Sequence, residues 1–480
     1  MVCKEGRLRF GWARRDITPN RSASLGGQFY TRISKSVESP LTVTALALET
    51  RGEEGQSIDQ MVNVSCDLIH IPRCLLLRVR EKLEGKLEGF DPEKLMINAT
   101  HVHTGPYVHD FSIHRTILKR LPEELHPEPF QTDCDVITWQ EYSAFVVERI
   151  SEAVTEAWNA RKPGSVGFAQ GYAALGFCRR SVYDDNTALM YGPTDTANYR
   201  GPEGPEDHGV ELMYFWDENG KLTGAVANAA CPAQVLEAKW FISSDYWGKA
   251  REQLAEVFGE SFYLLPLTGA AGDQSPRDLV RRGRRGPSMY EVEGARELGR
   301  RVKEAVVSHV EDAYAVRQDQ LVFAHQVCEI GLPLRTVSRT EVAQSTQSFQ
   351  ALVAAHAGRR YTENELAELF IDAGVLERAE EQKVSTVRTT EIHVMRLGDC
   401  AIATNPFELF TEYGLQMKAR SHAAQTFIVQ MSCDTPGYLP TEKAVRGGHY
   451  SAVVAGNEEG PEGGKLLVET TLHAIDQMFE

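Results

Sequence analysis

The stretch "QMVNVSCDLIHIPRCLLLRVREKLEGKLEGFDPEKLMINATHVH", residues 60–103, decides the fold class. Its first part reads as a strand, and Pro72 then opens an amphipathic helical pattern. After the turn at Asp91, "KLMINATHVH" reads as a second strand. A strand, a helix and a strand in this order indicate an α/β core.

The flanking sequence continues this rhythm. Residues 41–49, "LTVTALALE", alternate as a strand does, and residues 138–161 form a strong amphipathic helical pattern. Residues 210–230, "VELMYFWDENGKLTGAVANAA", predict a hairpin with Asn219 and Gly220 in its turn. Since no clear linker separates these elements, we expect one composite domain over residues 1–480, with a mixed sheet flanked by helices and a possible helical insertion at 340–384.

Composition narrows the possible partners. The chain has 480 residues, 42% of them hydrophobic, and a formal net charge of −16. An acidic chain is a poor partner for nucleic acid or for an anionic membrane surface. A small-molecule substrate is therefore the expected partner, and the oligomeric state cannot be predicted.

The cysteines and the N-terminus indicate a compartment. Nine cysteines are scattered without any CxxC pair, which favours reduced thiols in the cytoplasm. The first residues contain no apolar signal-peptide core, and no apolar run is long enough to span a membrane. We expect a cytoplasmic protein without stable membrane insertion.

The pair His101 and His103 carries the first chemical signal. Residues two apart on a strand point to the same face, so two imidazoles would lie side by side at the end of a strand. Such a pair suits one metal ion, or a metal ligand with a proton shuttle. A hydrogen-bonded structural pair is the alternative.

A basic segment at residues 281–287, "RRGRRGP", is a second candidate. It predicts a solvated turn or, alternatively, a grip on an anionic substrate.

Five motifs, in the same order, resemble the neutral (non-lysosomal) ceramidase family. "NATHVHTGP" at 98–106 is similar to the family's "THTHSGP", and "GDQSP" at 272–276 is similar to its "GDVSP". The others are "GWARRDITP" at 11–19, "NPFELFTEYG" at 405–414 and "GYLPTEKAVRGGHY" at 437–450. The resemblance runs from about residue 9 to about residue 455, and it implies the catalytic domain without the family's C-terminal immunoglobulin-like domain.

The resemblance implies a zinc amidase and assigns its residues. The implied zinc ligands include His101, Glu408 and Tyr438. The implied catalytic residues are His103 as acid and base, Tyr450 as a group that polarises the substrate, and Ser275 at the reaction centre. Of two neighbouring arginines, Arg179 and Arg180, we favour Arg180 as the substrate contact.

The remaining ligand position departs from the family. Where the family has a histidine after the hairpin, this chain has Cys231. Cys231 could bind zinc as a thiolate, His208 could replace it, or the site could have lost affinity or changed its metal. A thiolate would make zinc a weaker Lewis acid and so bears on the amidase activity.

Each residue also has an ordinary structural interpretation. Glu408 could be an acid at a helix N-terminus, and Ser275 a turn residue or N-cap. Tyr438 and Tyr450 could be half-buried tyrosines, and Cys231 a small buried hydrophobe. The order of the motifs favours the functional interpretation.

Three functions remain open from the sequence. The first is a zinc-dependent amidohydrolase acting on a small soluble N-acyl compound rather than on ceramide. The second is a metalloenzyme on the same scaffold, a lyase or an esterase, acting on a carbohydrate-derived substrate. The third is a binding protein with a degenerate metal site. The segments 105–140 and 178–210 are predicted to be loops at the pocket mouth.

Overall fold

The computed structural model describes residues 4–281 and 289–480. Except for Arg281, the predicted basic segment at 281–287 lies outside these described residues. Arg281 itself pairs with Asp278 at the surface.

The strands, in chain order, fall into one large sheet and several small ones. They are β1 Glu5–Asp16, β2 Ser22–Ala23, β3 Thr42–Arg51, β4 Ser57–Cys66, β5 Leu95–Ala99, β6 Val136–Ile137, β7 Lys162–Tyr172, β8 Phe177–Cys178, β9 Arg180–Tyr183, β10 Ala188–Met190, β11 Tyr199–Pro202, β12 Gly209–Asp217, β13 Leu222–Ala229, β14 Tyr263–Thr268, β15 Gln274–Ser275, β16 Gln320–Pro333, β17 Val387–Leu397, β18 Cys400–Thr404, β19 Glu408–Leu409, β20 Gln425–Val429 and β21 Tyr438–Leu439.

The helices pack on the faces of the large sheet or form a separate helical segment. They are α1 Arg73–Leu83, α2 Arg115–Leu118, α3 Trp139–Asn159, α4 Asp245–Phe258, α5 Glu291–Ser308, α6 Val310–Ala315, α7 Arg339–Ala355, α8 Glu363–Leu366, α9 Phe370–Glu381, α10 Thr411–Arg420, α11 Glu442–Gly447 and α12 Pro461–Phe479. Short 3₁₀ turns lie at Pro92–Lys94, Glu123–Leu125, Ala367–Leu369 and Val454–Gly456.

The large sheet is mixed and has twelve strands in the described part of the chain. Nine of them run in the order β14-β13-β12-β7-β1-β16-β17-β18-β20, while β3, β4 and β5 extend from β1 in that order. The long strand β1 has three neighbours. Along one edge, its first residues pair with β16 and its middle residues pair with β7. Along the other edge, it pairs with β3. The predicted mixed sheet flanked by helices is confirmed.

The same supersecondary unit occurs three times along the chain. In each, an antiparallel hairpin is followed by a helix and then by a strand parallel to the second hairpin strand. The units are β3-β4-α1-β5, β12-β13-α4-β14 and β17-β18-α10-β20. Sequence inspection finds no internal repeat, because the units share element order and not residues.

The carboxyl ends of the three parallel pairs meet in the interior. The Ser65 hydroxyl donates to the Pro266 carbonyl at 2.6 Å and joins the first unit to the second. The Asn228 amide donates to the Ile428 carbonyl at 2.9 Å and joins the second to the third. Loops leaving these strand ends therefore converge, and sites in α/β sheets form at such ends.

Local sequence explains several of these elements. The predicted hairpin is confirmed as β12 and β13, and Gly220 takes the positive φ of 76° that its turn requires. Helix α3 begins where Thr138 and Glu141 form a reciprocal capping box. The predicted helix after Pro72 is α1.

The predicted helical segment at 340–384 is observed as α7, α8 and α9. Its apolar residues pack against the segment around α2 in a cluster separate from the sheet cores, which includes Ile117, Leu121 and Phe349. On another side, the Phe370 ring touches the rings of Phe29 and Tyr450 at centroid distances of 5.6 and 6.0 Å. Whether this segment is an insertion into the domain remains a prediction.

Two local predictions are wrong. Residues 178–210 are not simply a loop, since β9 pairs with β10 and β11 in a three-stranded sheet. The strand predicted to continue through His103 ends at Ala99, because the chain turns sharply at His101, whose φ is 62°.

Candidate metal and catalytic site

His101 lies in the first loop of the converging strand ends. Its Nδ1 is 2.7 Å from the Ile69 carbonyl oxygen, an acceptor only, so Nδ1 carries the proton. The lone pair is therefore on Nε2, which points into the protein interior. Anchoring one ring nitrogen on a carbonyl is the usual way to orient a histidine that binds a metal through the other.

Glu408 and Tyr438 reach the same place from the third unit. The short strands β19 and β21 pair in parallel and put these two residues side by side. Glu408 Oε2 lies 3.3 Å from His101 Nε2. Burial alone would raise the pKa of Glu408, but His101, Arg179 and the Tyr438 hydroxyl outweigh it and hold that pKa low. Glu408 is thus held as a carboxylate that faces His101 Nε2.

Two tyrosines flank this pair. The rings of Tyr438 and Tyr450 are 5.6 Å apart, edge to face. Burial and the charge of Glu408 raise the pKa of Tyr438 well above its ordinary value and that of Tyr450 to about 12. Both hydroxyls therefore keep their protons at neutral pH and can donate hydrogen bonds.

His103 lies beside His101, with ring centroids 4.9 Å apart and nearly perpendicular planes. Both of its ring nitrogens are buried, and neither has a well-aligned hydrogen-bond partner among residues 4–281 and 289–480. Burial, with the nearby positive charges of Arg32 and Arg179, lowers the pKa of His103 well below its ordinary value. A buried neutral imidazole with unmet hydrogen bonds is a strained arrangement that a bound substrate or water would relieve.

Arg180, favoured over Arg179 as the substrate contact, stays a prediction. The Arg180 guanidinium is fully buried, pairs with Glu203 at 2.6 Å and donates to the carbonyl oxygens of Tyr450 and Gly448. These contacts occupy it structurally. Arg179 instead donates to the Tyr438 hydroxyl at 3.2 Å, so it is the arginine beside the site.

Cys231 follows β13, as predicted for the ligand after the hairpin, but its thiol packs against other residues. Sγ lies 3.5 Å from the Pro232 carbonyl oxygen in the core, beside Asp245 and Tyr246. Burial raises the pKa of this thiol well above its ordinary value. These contacts match the interpretation of Cys231 as a small buried hydrophobe, and its role as a ligand stays a prediction.

The other candidate for that position, His208, is also placed away from His101. Its Nε2 lies 3.0 Å from the Gly176 carbonyl oxygen and 3.4 Å from Glu206, and its ring contacts Phe177. The Nε2 atom of His208 therefore already has polar neighbours close to its own loop.

Ser275 is fully buried in β15, where its hydroxyl accepts from the Arg277 backbone N–H at 3.2 Å. This contact is the turn role that its sequence context allows. The loop that carries Ser275 does approach the site, because a Cβ on Gly272 would lie 2.3 Å from the Glu408 carbonyl oxygen.

The arrangement fits a metal ion in part. A tetrahedral zinc site with ligand distances of about 2.0–2.2 Å separates a nitrogen and an oxygen ligand by about 3.3–3.5 Å, and the His101–Glu408 separation of 3.3 Å matches this. Tyr438 is adjacent and can supply a third ligand, its hydroxyl oxygen. The structure thus brings His101, His103, Glu408, Tyr438 and Tyr450 together but does not group Cys231 with them.

A second cluster of possible metal ligands lies elsewhere in the fold. Across residues 4–281 and 289–480, the one group of three or more His, Cys, Asp or Glu ligand atoms within 4.8 Å of one another is formed by Glu391, His393 and Cys433. Sequence reasoning missed this cluster, although Glu391 and His393 are two apart on a strand, the same spacing that drew attention to His101.

Comparison with known proteins supports the fold and the motifs. The chain is 25% identical over 299 residues to the neutral ceramidase of Pseudomonas aeruginosa, an alignment that covers 61% of this chain and 40% of that protein. The crystal structure of neutral ceramidase from the same organism has a TM-score of 0.66 at 19% identity and covers 98% of this chain. This chain is a homologue of neutral ceramidase.

A second solved structure, a ceramidase complexed with C2, aligns with this chain at the same TM-score of 0.66 and with 18% identity. The aligned parts cover 74% and 75% of the two solved chains, whereas the sequence match spans less than half of the curated relative. No family model matches the chain. The resemblance deduced from five motifs is therefore confirmed, and the fold with it.

Among the described residues of this chain, no helix combines the length and the apolar character that crossing a bilayer requires.

Proposed function

We propose that this homologue is a metal-dependent hydrolase that cleaves the amide bond of a small N-acyl compound. The observation that carries the proposal is the 3.3 Å approach of His101 Nε2 to Glu408 Oε2, two residues about three hundred positions apart in the chain. Nothing in the local sequence requires this approach, whereas a shared divalent cation explains it.

His101, Glu408 and Tyr438 would hold the cation, which we take to be zinc, and Cys231 stays a candidate for a fourth position. A bound zinc ion lowers the pKa of a water molecule to near neutrality and polarises an acyl carbonyl. The Ile69 carbonyl fixes the His101 ring so that Nε2 would be free to bind the cation, and Arg179 donates a hydrogen bond to the Tyr438 hydroxyl.

His103 is the proposed general base and acid. Its buried nitrogens lack partners among the described residues and lie beside His101, so it can accept the proton of the attacking water. It then returns that proton to the leaving amine. A neutral imidazole is needed for the first of these steps.

Tyr450 is the proposed donor to the oxyanion that develops on the acyl carbonyl. Its high pKa keeps the phenol proton available, and its ring is held by Phe29, Phe370 and Tyr438. Ser275 is proposed to position the substrate or the water from the adjacent loop, and Arg179 replaces Arg180 as the proposed substrate-side arginine.

The proposed substrate is small and soluble, in keeping with the acidic chain and the predicted cytoplasmic location. Phe29 and Phe370 extend apolar surface outward from Tyr450, which supports an acyl group at that side of the site. Ceramide, with two long chains, is the less favoured substrate.

The test is release of free amine from a panel of N-acyl amino acids, N-acyl amines and short-chain ceramides by the purified protein. We expect turnover that a chelator abolishes and zinc restores, and that Glu408→Gln abolishes. Turnover of an ester or carbohydrate-acid panel without amine release would replace the amidase with the esterase or lyase alternative. No metal in the native protein and no turnover would favour a binding protein.

A further inference from the structure

The cluster of Glu391, His393 and Cys433 lies apart from the site described above and has no part in the proposed reaction. Glu391 and His393 point inward from β17, and Cys433 follows β20, where its backbone N–H donates to the Ile97 carbonyl of β5 at 2.9 Å. The exposed fractions are 9%, 0% and 1%. The cluster therefore sits at the junction of the first and third supersecondary units.

A chain of hydrogen bonds determines which nitrogen of His393 is free. His325 Nδ1 lies 3.0 Å from the Gln60 carbonyl oxygen and must donate to it. His325 Nε2 then accepts from His393 Nδ1 at 2.9 Å. In its neutral form, His393 consequently carries its lone pair on Nε2.

That lone pair faces two further groups. His393 Nε2 lies 3.0 Å from Glu391 Oε1 and 3.7 Å from Cys433 Sγ. A nitrogen lone pair facing a carboxylate oxygen is repulsive unless something positive lies between them. One proton on Nε2 could bond either Glu391 or Cys433 but not both, whereas one cation can bind all three atoms.

The distances suit such a cation. With Zn–N of about 2.0–2.1 Å and Zn–S of about 2.3 Å, a tetrahedral site separates nitrogen and sulfur by about 3.6 Å. The observed separation is 3.7 Å. Imidazole, thiolate and carboxylate together are a ligand set typical of zinc.

The charges around the cluster do not favour a proton on His393 over a divalent cation bound by the three residues. Arg80 and Arg73 both pair with Glu391, at 2.8 and 2.7 Å. A divalent cation with a Cys433 thiolate adds two positive charges and one negative. The net addition is the same single positive charge that a proton on His393 would bring with a neutral thiol.

We propose that Glu391, His393 and Cys433 form a second, structural zinc-type site that ties β17 to the end of β20. Its ligands are buried, so it holds the fold together and does not act on substrate. Arg80, on α1, orients Glu391 in this site through two hydrogen bonds.

The test uses cobalt, whose thiolate charge-transfer absorption reports a sulfur ligand. The metal-free protein, confirmed as folded by circular dichroism, is titrated with Co²⁺. We expect the thiolate band to saturate at one equivalent, to disappear in Cys433→Ser and to persist in Cys231→Ser and in Glu408→Gln. Zinc should raise the thermal midpoint of the wild type and of Glu408→Gln alike.

Absence of the thiolate band from the wild type would overturn the proposal. So would a band that survives in Cys433→Ser and is lost in Cys231→Ser, since the sulfur ligand would then belong to the other site. If Cys433→Ser does not fold, zinc X-ray absorption on the wild type and on Cys231→Ser decides. Sulfur in the coordination shell of both supports the site, and its absence from either contradicts it.

Discussion

Two histidine–glutamate pairs in this protein have nearly the same geometry and very different surroundings. His101 and Glu408 approach to 3.3 Å, and His393 and Glu391 to 3.0 Å. In both, Nδ1 is engaged by a hydrogen bond and Nε2 faces the carboxylate. Nothing in the pair itself distinguishes a reactive site from a structural one.

The neighbours make the distinction. Beside His101 lie His103, with unmet hydrogen bonds in the described structure, and the two tyrosines, and the Glu408 side chain keeps 17% of its surface exposed. The Glu391 side chain keeps 5%, and two arginines occupy its oxygens. Groups that retain unused donors and access can meet a substrate, whereas satisfied and enclosed groups stabilise the fold.

Glu391→Gln should have the largest effect on stability. The change leaves the buried Arg80 without its main counter-charge, and breaking a buried pair costs about 3–5 kcal/mol. Urea unfolding measures it. The surface pair Arg420–Glu469 gives a matched control, since solvent screens it and Glu469→Gln should change stability little. Equal costs for the two variants would contradict the structural role of Glu391.

Glu408→Gln should reverse this pattern. We expect amide hydrolysis to fall by at least about a hundredfold, because a ligand and its negative charge are lost from the centre of the site. The free energy of unfolding of the metal-free protein should change far less than in Glu391→Gln. Full activity in Glu408→Gln would remove the distinction between the two pairs.

A third buried glutamate, Glu459, differs from Glu391 in its protonation and can be tested by varying the pH. It lies 2.8 Å from Arg388, but neither of its oxygens has a well-aligned hydrogen bond among the described residues. Burial raises its pKa from 4.5 to about 7, whereas His393 and Arg80 outweigh burial and lower that of Glu391. The folded state therefore retains a proton on Glu459 that the unfolded state releases above about pH 4.5.

Stability contributed by this retained proton is present below pH 4.5 and is lost as the pH rises towards 7. The loss should reach roughly 2–3 kcal/mol. Urea unfolding of the wild type and of Glu459→Gln between pH 4.5 and 7.5 checks it, and the difference between the two proteins should vary with pH. A constant difference would show that Glu459 is ionised throughout.

Gly27→Ala should have the smallest effect and act only on the reactive region. A Cβ at Gly27 would lie 2.3 Å from His103 Nδ1, and its φ is 94°. We expect kcat to fall about tenfold through displacement of His103, with unchanged metal content. Gly55→Ala is the matched control, because Gly55 has a similar φ of 83° and open space around it. An equal loss of activity in both variants would implicate backbone strain instead of His103.

Some features of the site could be predicted from the sequence and others could not. The HxH spacing and the five ordered motifs pointed to His101, Glu408, Tyr438 and Tyr450, because short motifs preserve residue identity. The choice between Arg179 and Arg180 could not be made from the sequence, since adjacent residues on an extended chain face opposite sides and only packing decides which side is the site. Cys231 poses the same difficulty, because a motif position does not determine where a side chain points.

Local sequence is enough to predict the alternation of strands and helices, the hairpin at Asn219 and Gly220, and the start of α3 at Thr138. Each follows from apolar periodicity or turn chemistry within a few residues. The tertiary structure alone decided that three units converge, that His101 meets Glu408, and that Glu391, His393 and Cys433 share one interior point. Except for Glu391 and His393, which are neighbours on one strand, these contacts join residues tens to hundreds of positions apart, and packing of the whole sheet, not local conformational preference, brings them together.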